Sequence, residues 1–123
     1  MMFLSRLNMS KSPINYIRHI GEEVDFIISA MSGKTFQNLT DDLVLQKAIV
    51  RSLEIIGEAT KRVDDSFRKK YPLVYWREMA GTRDRLIHDY FDIDYQVVWD
   101  IIQNDIPVLK EQVNLILKDE IGK

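Results

Sequence analysis

Apolar residues recur at steps of three and four along most of this chain, which is the spacing of amphipathic helices. The first stripe follows Ser12-Pro13, an N-cap with a proline at the first helical position, and it ends at Ser32-Gly33. Its apolar positions are Ile14, Ile17, Ile20, Val24, Ile27, Ile28 and Met31. Residues 1–11 show no period and are predicted to form a loose N-terminal arm.

A second, broader stripe is predicted to begin at Thr40, which can cap a helix whose first turn carries two carboxylates. It runs to about Phe67, and its breadth predicts the most buried helix. A short aromatic helix is then predicted over residues 73–80, stopped by Gly81.

Two further helices complete the chain. Thr82 is predicted to cap a helix over residues 82–90, and Asp94 to cap a last long one. Pro107 should bend that last helix near Gln103, because the Gln103 carbonyl loses its amide donor. No segment alternates as a strand would, so the predicted fold class is all-α: an antiparallel helical bundle of three long and two short helices.

The bulk numbers fit one soluble domain spanning residues 1–123. No apolar run reaches the roughly 18 residues of a membrane span, and no cleavage site of a leader is visible, so we expect a cytoplasmic protein without a membrane segment. The absence of cysteine excludes disulfides, thiolate catalysis and Cys-ligated zinc. The net charge of −2 argues weakly against a nucleic-acid partner, but residues 51–90 hold nine Lys/Arg against seven Asp/Glu.

Within that basic segment, residues 81–90 place His88 near Arg83, Asp84, Arg85 and Tyr90. Histidine titrates near neutral pH and suits acid–base catalysis, and arginine provides forked donors for phosphate. If residues 82–90 form one helix, His88 lies about 140° from Arg83 and beside Asp84 and Arg85. Arg83 and His88 therefore converge only if the helix ends before His88, or if two chains bring them together across a two-fold axis.

Other polar positions have simpler explanations. His19 falls off the apolar stripe and is predicted to be solvated, and residues 32–35 imitate a phosphate-binding loop without the required first glycine. Arg51, Glu54 and Glu58 have the spacing of a surface ion-pair ladder. A metal-dependent nuclease using Asp89, Asp92 and Asp94 near His88 is a weaker alternative, because Asp94 is better explained as an N-cap.

Four blocks of sequence together resemble the HepT-type toxins of the HEPN superfamily, over roughly residues 14–116. They are Arg51-x2-Glu54-x2-Gly57-Glu58-Ala59, Trp76-Arg77-x3-Ala80-Gly81, Arg83-x4-His88-x-Tyr90 with Phe91 and Asp94, and Trp99 with Asp105-Ile106-Pro107-x-Leu109. The Arg-x4-His string alone is weakly specific, whereas the four blocks in this order are strongly specific.

The resemblance implies a metal-independent and cofactor-free ribonuclease, commonly a homodimer with its active site at the dimer interface. His88 would activate the ribose 2′-hydroxyl or protonate the leaving 5′-oxygen, and Arg83 would hold the scissile phosphate. Asp84 and Arg85 would support them. Asp84 stands where the family often has Asn, and its carboxylate should favour protonated His88, so the acid and base roles both stay open.

The resemblance also implies a toxin–antitoxin system of bacteria or archaea. HepT toxins are paired with MntA-type nucleotidyltransferase antitoxins that attach AMP to the tyrosine of the motif, here Tyr90. The alternative is a non-catalytic HEPN module that docks such a nucleotidyltransferase and is only its substrate. A His88→Ala variant distinguishes the two, since only an enzyme would lose RNA cleavage.

Overall fold

The computed structural model describes residues 12–87 and 92–122, and these confirm the all-α class. The helices are α1 (Pro13–Met31), α2 (Phe36–Asp41), α3 (Leu43–Lys61), α4 (Asp65–Lys70), α5 (Trp76–Ala80), α6 (Thr82–Leu86), α7 (Tyr95–Asp100) and α8 (Ile106–Ile121). A π-helical turn, Ile101–Asp105, joins α7 to α8 in one continuous helix. Three long helical units are therefore present as predicted, and the described ranges contain four short helices where two were predicted.

The core lies where α1 packs against α3 on one side and α8 on the other. Helices α1 and α3 are joined near their midpoints, where Ser52 of α3 donates a 2.6 Å hydrogen bond to the Glu23 carboxylate of α1. Gly21 allows α8 to approach closely, since a Cβ there would lie 3.1 Å from Val113 Cγ1. Burying each large aliphatic side chain of this core contributes about 1.5–3 kcal/mol. Its fully buried members include Ile17, Ile20, Val24, Ile27, Ile49, Leu53 and Ile106.

The predicted start of the second long helix at Thr40 was wrong, because a separate short helix, α2, precedes α3. Helix α3 begins at Leu43 because the Asp42 carboxylate accepts a 3.0 Å hydrogen bond from the Leu45 amide. Thr40, the predicted cap, lies inside α2. Helix α2 begins with a capping box, in which Thr35 and Asn38 each accept a hydrogen bond from the other's amide.

The predicted end of that helix was also wrong, because α3 ends at Lys61 and a separate helix, α4, begins at Asp65. Asp64 caps α4 by accepting from the Phe67 amide at 2.9 Å, and this bond, with that from Ser66, holds the pKa of Asp64 below its usual range. Arg68 donates to two carbonyl groups at and just after the end of α3, those of Thr60 and Val63, at 2.8 and 3.0 Å, respectively. A side chain from the next helix therefore completes the α3 terminus.

The second half of the chain follows the prediction more closely. The aromatic helix begins at Trp76 rather than Leu73, and Asp94 caps α7 by accepting from the amides of Gln96 and Val97. The π-helical turn, in which the Ile106 amide donates to the Ile101 carbonyl, lies where Pro107 was predicted to disturb the helix. Within the described ranges, no helix combines the length and apolarity needed to cross a membrane.

Candidate functional site

The elbow between α5 and α6 packs directly on α3 at Gly57. A Cβ built at Gly57 would lie 3.4 Å from the Met79 carbonyl oxygen and 3.8 Å from Thr82 Cβ. Thr82 is buried, and its hydroxyl donates to that Met79 carbonyl at 2.6 Å. The prediction that Thr82 caps α6 was therefore wrong, since Gly81 holds the N-cap position and Thr82 fastens α6 to α5.

Helix α6 ends at Leu86, so the assumption of one helix through Tyr90 was wrong, and the stated alternative, a helix that ends before His88, is confirmed. Ile87 is extended, with φ −84° and ψ 115°, and forms an isolated antiparallel bridge with Ile93. The Asp94 amide also donates to the Leu86 carbonyl at 2.8 Å. The angle of about 140° between residues 83 and 88 assumed a continuous helix, and it does not apply.

Two predicted site residues, His88 and Tyr90, lie outside the described residues, as do Asp89 and Phe91. Their roles stay predictions. The described chain on both sides of them is tied together by the bridge between Ile87 and Ile93.

Two ion pairs are seen among the described residues of this site, and Arg83 is the most exposed of the four side chains that form them. Its Nε lies 3.9 Å from Glu54 Oε2, and the side chains of Arg83 and Glu54 are 64% and 32% exposed. A pair this long and this solvated contributes about 0–1 kcal/mol. The guanidinium is therefore oriented toward α3 but can exchange Glu54 for a stronger anionic partner.

Arg85 is held more firmly. Its Nη2 donates to Asp105 Oδ2 at 3.1 Å, with the side chains 40% and 47% exposed. Asp105 is the last residue of the π-helical turn, so this bond connects α6 to the α7–α8 unit. Asp84 lies between the two arginines in sequence and is exposed. The supporting roles of Asp84 and Arg85 in catalysis stay predictions.

The partners of α3 differ from the predicted ion-pair ladder. Glu54 pairs with Arg83, and Glu58 lies 3.6 Å from Lys61, so neither carboxylate pairs with Arg51 in the described structure. The ladder prediction was therefore wrong in its partners. Glu54 belongs to the site, and sequence reasoning missed that because no local spacing links residues 54 and 83.

Asp94, one of the carboxylates in the metal-dependent alternative, is occupied as an N-cap. Across residues 12–87 and 92–122, no three His, Cys, Asp or Glu side chains form a group that could hold a metal ion. His88 and Asp89, two residues of the metal-dependent alternative, lie outside the described residues, so that alternative stays a prediction.

An apolar groove of about 210 Å³ opens beside Arg85, between the α5–α6 elbow and the start of α8. Leu53 and Ile56 of α3 form its floor, and Tyr75, 66% exposed, and Val108 line its sides. Leu73, next to this groove through a hydrogen bond from Gln112 to its carbonyl, is exposed as well. Apolar surface of this kind is typical of a protein interface.

The described chain is an all-α bundle with an exposed arginine, Arg83, on a short helix and a histidine five residues later in the sequence, and it matches a known class of ribonuclease. The family described as Ribonuclease HepT-like matches residues 20–116. The chain belongs to this family, and membership supports ribonuclease activity.

Curated relatives agree over nearly the whole chain. A protein of Caldanaerobacter subterraneus subsp. tengcongensis named "Putative RNase TTE0752" is 46% identical over 110 residues, 89% of this chain and 98% of the relative. "Probable ribonuclease HepT" of Thermococcus cleftensis is 38% identical, over 89% of this chain and all of the relative. "Putative RNase MJ0127" of Methanocaldococcus jannaschii is 42% identical over 88% of this chain and 89% of the relative. No solved structure matches the chain significantly.

Proposed function

We propose that this protein is a metal-independent endoribonuclease and the toxin of a toxin–antitoxin pair. The observation that supports this most is the state of Arg83. A guanidinium that is 64% exposed and only 3.9 Å from one solvated carboxylate is available to a phosphate. It lies on α6, which ends one residue before Ile87, and His88 follows Ile87 in the sequence.

The reaction needs one proton removed and one proton supplied. The 2′-oxygen of the ribose attacks the phosphorus, a 2′-O–P bond forms, and the P–O5′ bond breaks, which leaves a 2′,3′-cyclic phosphate and a 5′-hydroxyl. His88 takes the 2′-hydroxyl proton or gives a proton to the leaving 5′-oxygen. Arg83 binds the phosphoryl oxygens and stabilises the negative charge that grows on them in the transition state.

A homodimer would supply a second copy of His88 for the second proton transfer. The apolar groove beside Arg85 supports such an assembly, because it leaves Tyr75 and Val108 in water in the single chain. We expect Tyr75→Glu to shift the protein from dimer to monomer in light scattering. Leu43→Glu is the matched control, since Leu43 is 63% exposed on α3 and does not line the groove. A Tyr75→Glu dimer as stable as that of Leu43→Glu would contradict this interface.

Neutralisation would occur by AMPylation of Tyr90 by a nucleotidyltransferase antitoxin. An AMP group adds bulk and a phosphate charge close in sequence to Arg83, which would otherwise bind RNA. Co-expression with such an enzyme should add one or more AMP units at Tyr90, measured by mass spectrometry of peptides. A Tyr90→Phe variant that still gains this mass would exclude that residue as the target.

The central experiment is cleavage of end-labelled RNA in excess EDTA by the purified protein and by His88→Ala. We expect the parent to cleave and to leave 2′,3′-cyclic phosphate ends, and the variant to be slower by about 10²-fold or more. If His88→Ala cleaves RNA and inhibits growth as the parent does, the enzyme assignment built on His88 fails. If neither protein cleaves RNA, the non-catalytic module takes its place. Loss of parent activity in EDTA, restored by Mg²⁺, would contradict metal independence.

A further inference from the structure

A second groove lies on the other side of the molecule's central helix, between α1 and α3. Its volume is about 330 Å³, and its floor is formed by Tyr16 and Ala59, both buried. Three basic side chains surround it: His19 from α1, Arg51 from α3, and Arg62 just after α3. All three are exposed, so their charged ends face water above the groove.

The positive charges of this groove are not consumed by internal ion pairs. Glu58 is the acidic residue that lines it, and its carboxylate lies 3.6 Å from Lys61, a cation of its own helix. Among the described residues, no ion pair involves Arg51, Arg62 or His19. Two guanidinium groups and an imidazole therefore face one concave surface with their donors available to an anion.

The groove adjoins the candidate active site through α3. Glu54, which pairs with Arg83, lies three residues from Arg51 and therefore one helical turn away on a neighbouring face. Arg51 and Arg62 are eleven residues apart and close to the same helical face, which corresponds to about 16 Å along the helix axis. Glu54 lies between Arg51 and Arg62 along the α3 axis, so Arg83 is held beside the stretch that these two arginines span, and several nucleotides of a single strand cover that distance.

We propose that the groove of His19, Arg51 and Arg62 binds phosphodiester groups of the RNA strand beyond the scissile phosphate held at Arg83. The proposal rests on the ribonuclease function given above and extends its substrate site from one phosphate to a longer single strand. Guanidinium groups hold phosphate oxygens through paired donors, and the contact carries no base sequence. The groove therefore selects for strand length and not for a particular base.

Binding of RNA that cannot be cleaved tests this directly. The probes are a fully 2′-O-methylated 12-nucleotide strand and a 2′-O-methylated dinucleotide, titrated onto the full chain from low to high salt. For Arg51→Gln/Arg62→Gln we expect a Kd for the 12-nucleotide strand about 10–100-fold higher, and a Kd for the dinucleotide changed less than about twofold. The slope of log K against log salt should fall by about 1.4, because each lost phosphate contact removes about 0.7 for a single strand.

The matched control removes two charges elsewhere. Lys69→Gln/Lys118→Gln makes the same charge change at two exposed residues that do not line the groove. Arg51→Lys/Arg62→Lys keeps the charge and should retain most of the binding. The proposal is overturned if the control weakens the 12-nucleotide strand as much as the arginine variant does, or if the arginine variant binds it like the parent.

Two other outcomes are also decisive. If Arg51→Gln/Arg62→Gln changes the oligomeric state in light scattering, this face is a protein interface and the RNA assignment is overturned. If the unmutated protein binds the 12-nucleotide strand through this groove but cleaves no RNA, the ribonuclease proposal is contradicted and the RNA-binding groove is retained. The two proposals can therefore fail separately.

Discussion

Arg83 and Arg85 are two residues apart on the same short helix, yet they differ in their partners and in their exposure to solvent. The Arg85 guanidinium donates to Asp105 at 3.1 Å and connects two helical units. The Arg83 guanidinium lies 3.9 Å from Glu54 and is more exposed, 64% against 40%. One arginine is therefore used within the fold, and the other is kept oriented and available for a ligand.

The comparison would be tested most strongly by removing Arg83. We expect Arg83→Ala to lower kcat/KM for RNA by about 10²–10³-fold, the usual loss when one donor to transition-state charge is removed. The free energy of unfolding should change by less than about 1 kcal/mol, because the pair with Glu54 is long and solvated. Cleavage kinetics and urea denaturation give the two quantities. An Arg83→Ala protein that cleaves normally would remove Arg83 from the site.

Removing the contact between Arg85 and Asp105 should have a smaller effect on activity, and mutating either residue should produce it. We expect Arg85→Ala and Asp105→Asn each to lower kcat/KM by up to about tenfold, since both release α6 from the π-helical turn. If Arg85 acts only through this contact, the double variant is no worse than either single one. A loss in Arg85→Ala of the size expected for Arg83→Ala, with Asp105→Asn unaffected, would show that Arg85 contacts the substrate itself.

Glu54 offers a change in the opposite direction. Glu54→Gln removes the carboxylate that competes with phosphate for Arg83, so we expect uncleavable RNA to bind up to about fivefold more tightly, the equivalent of about 1 kcal/mol. The effect should shrink as salt rises. Weaker binding in Glu54→Gln would instead mean that Glu54 is needed to orient Arg83.

Tyr71 contacts neither of these ion pairs and serves as a control. Changing it should lower the stability of the fold and leave the cleavage activity unchanged. Its hydroxyl donates to Asp119 at 2.6 Å, and a bond to Glu120 adds a second tie between the end of α4 and the end of α8. Partial burial, with these two carboxylates, raises the pKa of the Tyr71 phenol well above its ordinary value near 10. Tyr71→Phe should lower the free energy of unfolding at pH 7 by about 0.5–1.5 kcal/mol.

The sign of the pH effect follows from that pKa. In the unfolded chain the phenol ionises above about pH 10, whereas in the folded chain it keeps its proton, so ionisation favours unfolding. The advantage of the parent over Tyr71→Phe is therefore fully present below pH 10 and is lost as the pH rises above it. Urea denaturation of both proteins at pH 7, 9 and 10.5 measures the difference. An advantage that grows above pH 10 would contradict this reading of Tyr71.

The sequence predicted best where one local signal decides the structure. Pro13 at a helix start, Gly33 at a helix end and Asp94 as a cap are such signals. Helix α1 begins and ends accordingly, and α7 begins where Asp94 predicted. Gly33 has φ +71°, a conformation that glycine adopts without strain. The fold class followed from the apolar period for the same reason.

Predictions failed where two local signals compete or where the partner is distant. Val63 and Phe67 continue the apolar period of α3, which hid the break that Asp64 and Arg68 create. The end of α6 at Leu86 depends on the bridge between Ile87 and Ile93, which no helical period can reveal. The Glu54–Arg83 pair likewise requires the approach of two helices at Gly57.

The π-helical turn has a consequence for chains related to this one. It holds one residue more than a regular α-helix of equal length, so the apolar positions before Ile101 and after Asp105 are out of phase in a simple helical count. A relative lacking one residue in this short stretch would carry a regular helix with the same buried faces, and would keep the contact to its motif helix only if a carboxylate remained at the place of Asp105. Insertions and deletions between residues 101 and 105 should therefore separate chains that tether their motif helix from chains that leave it untethered.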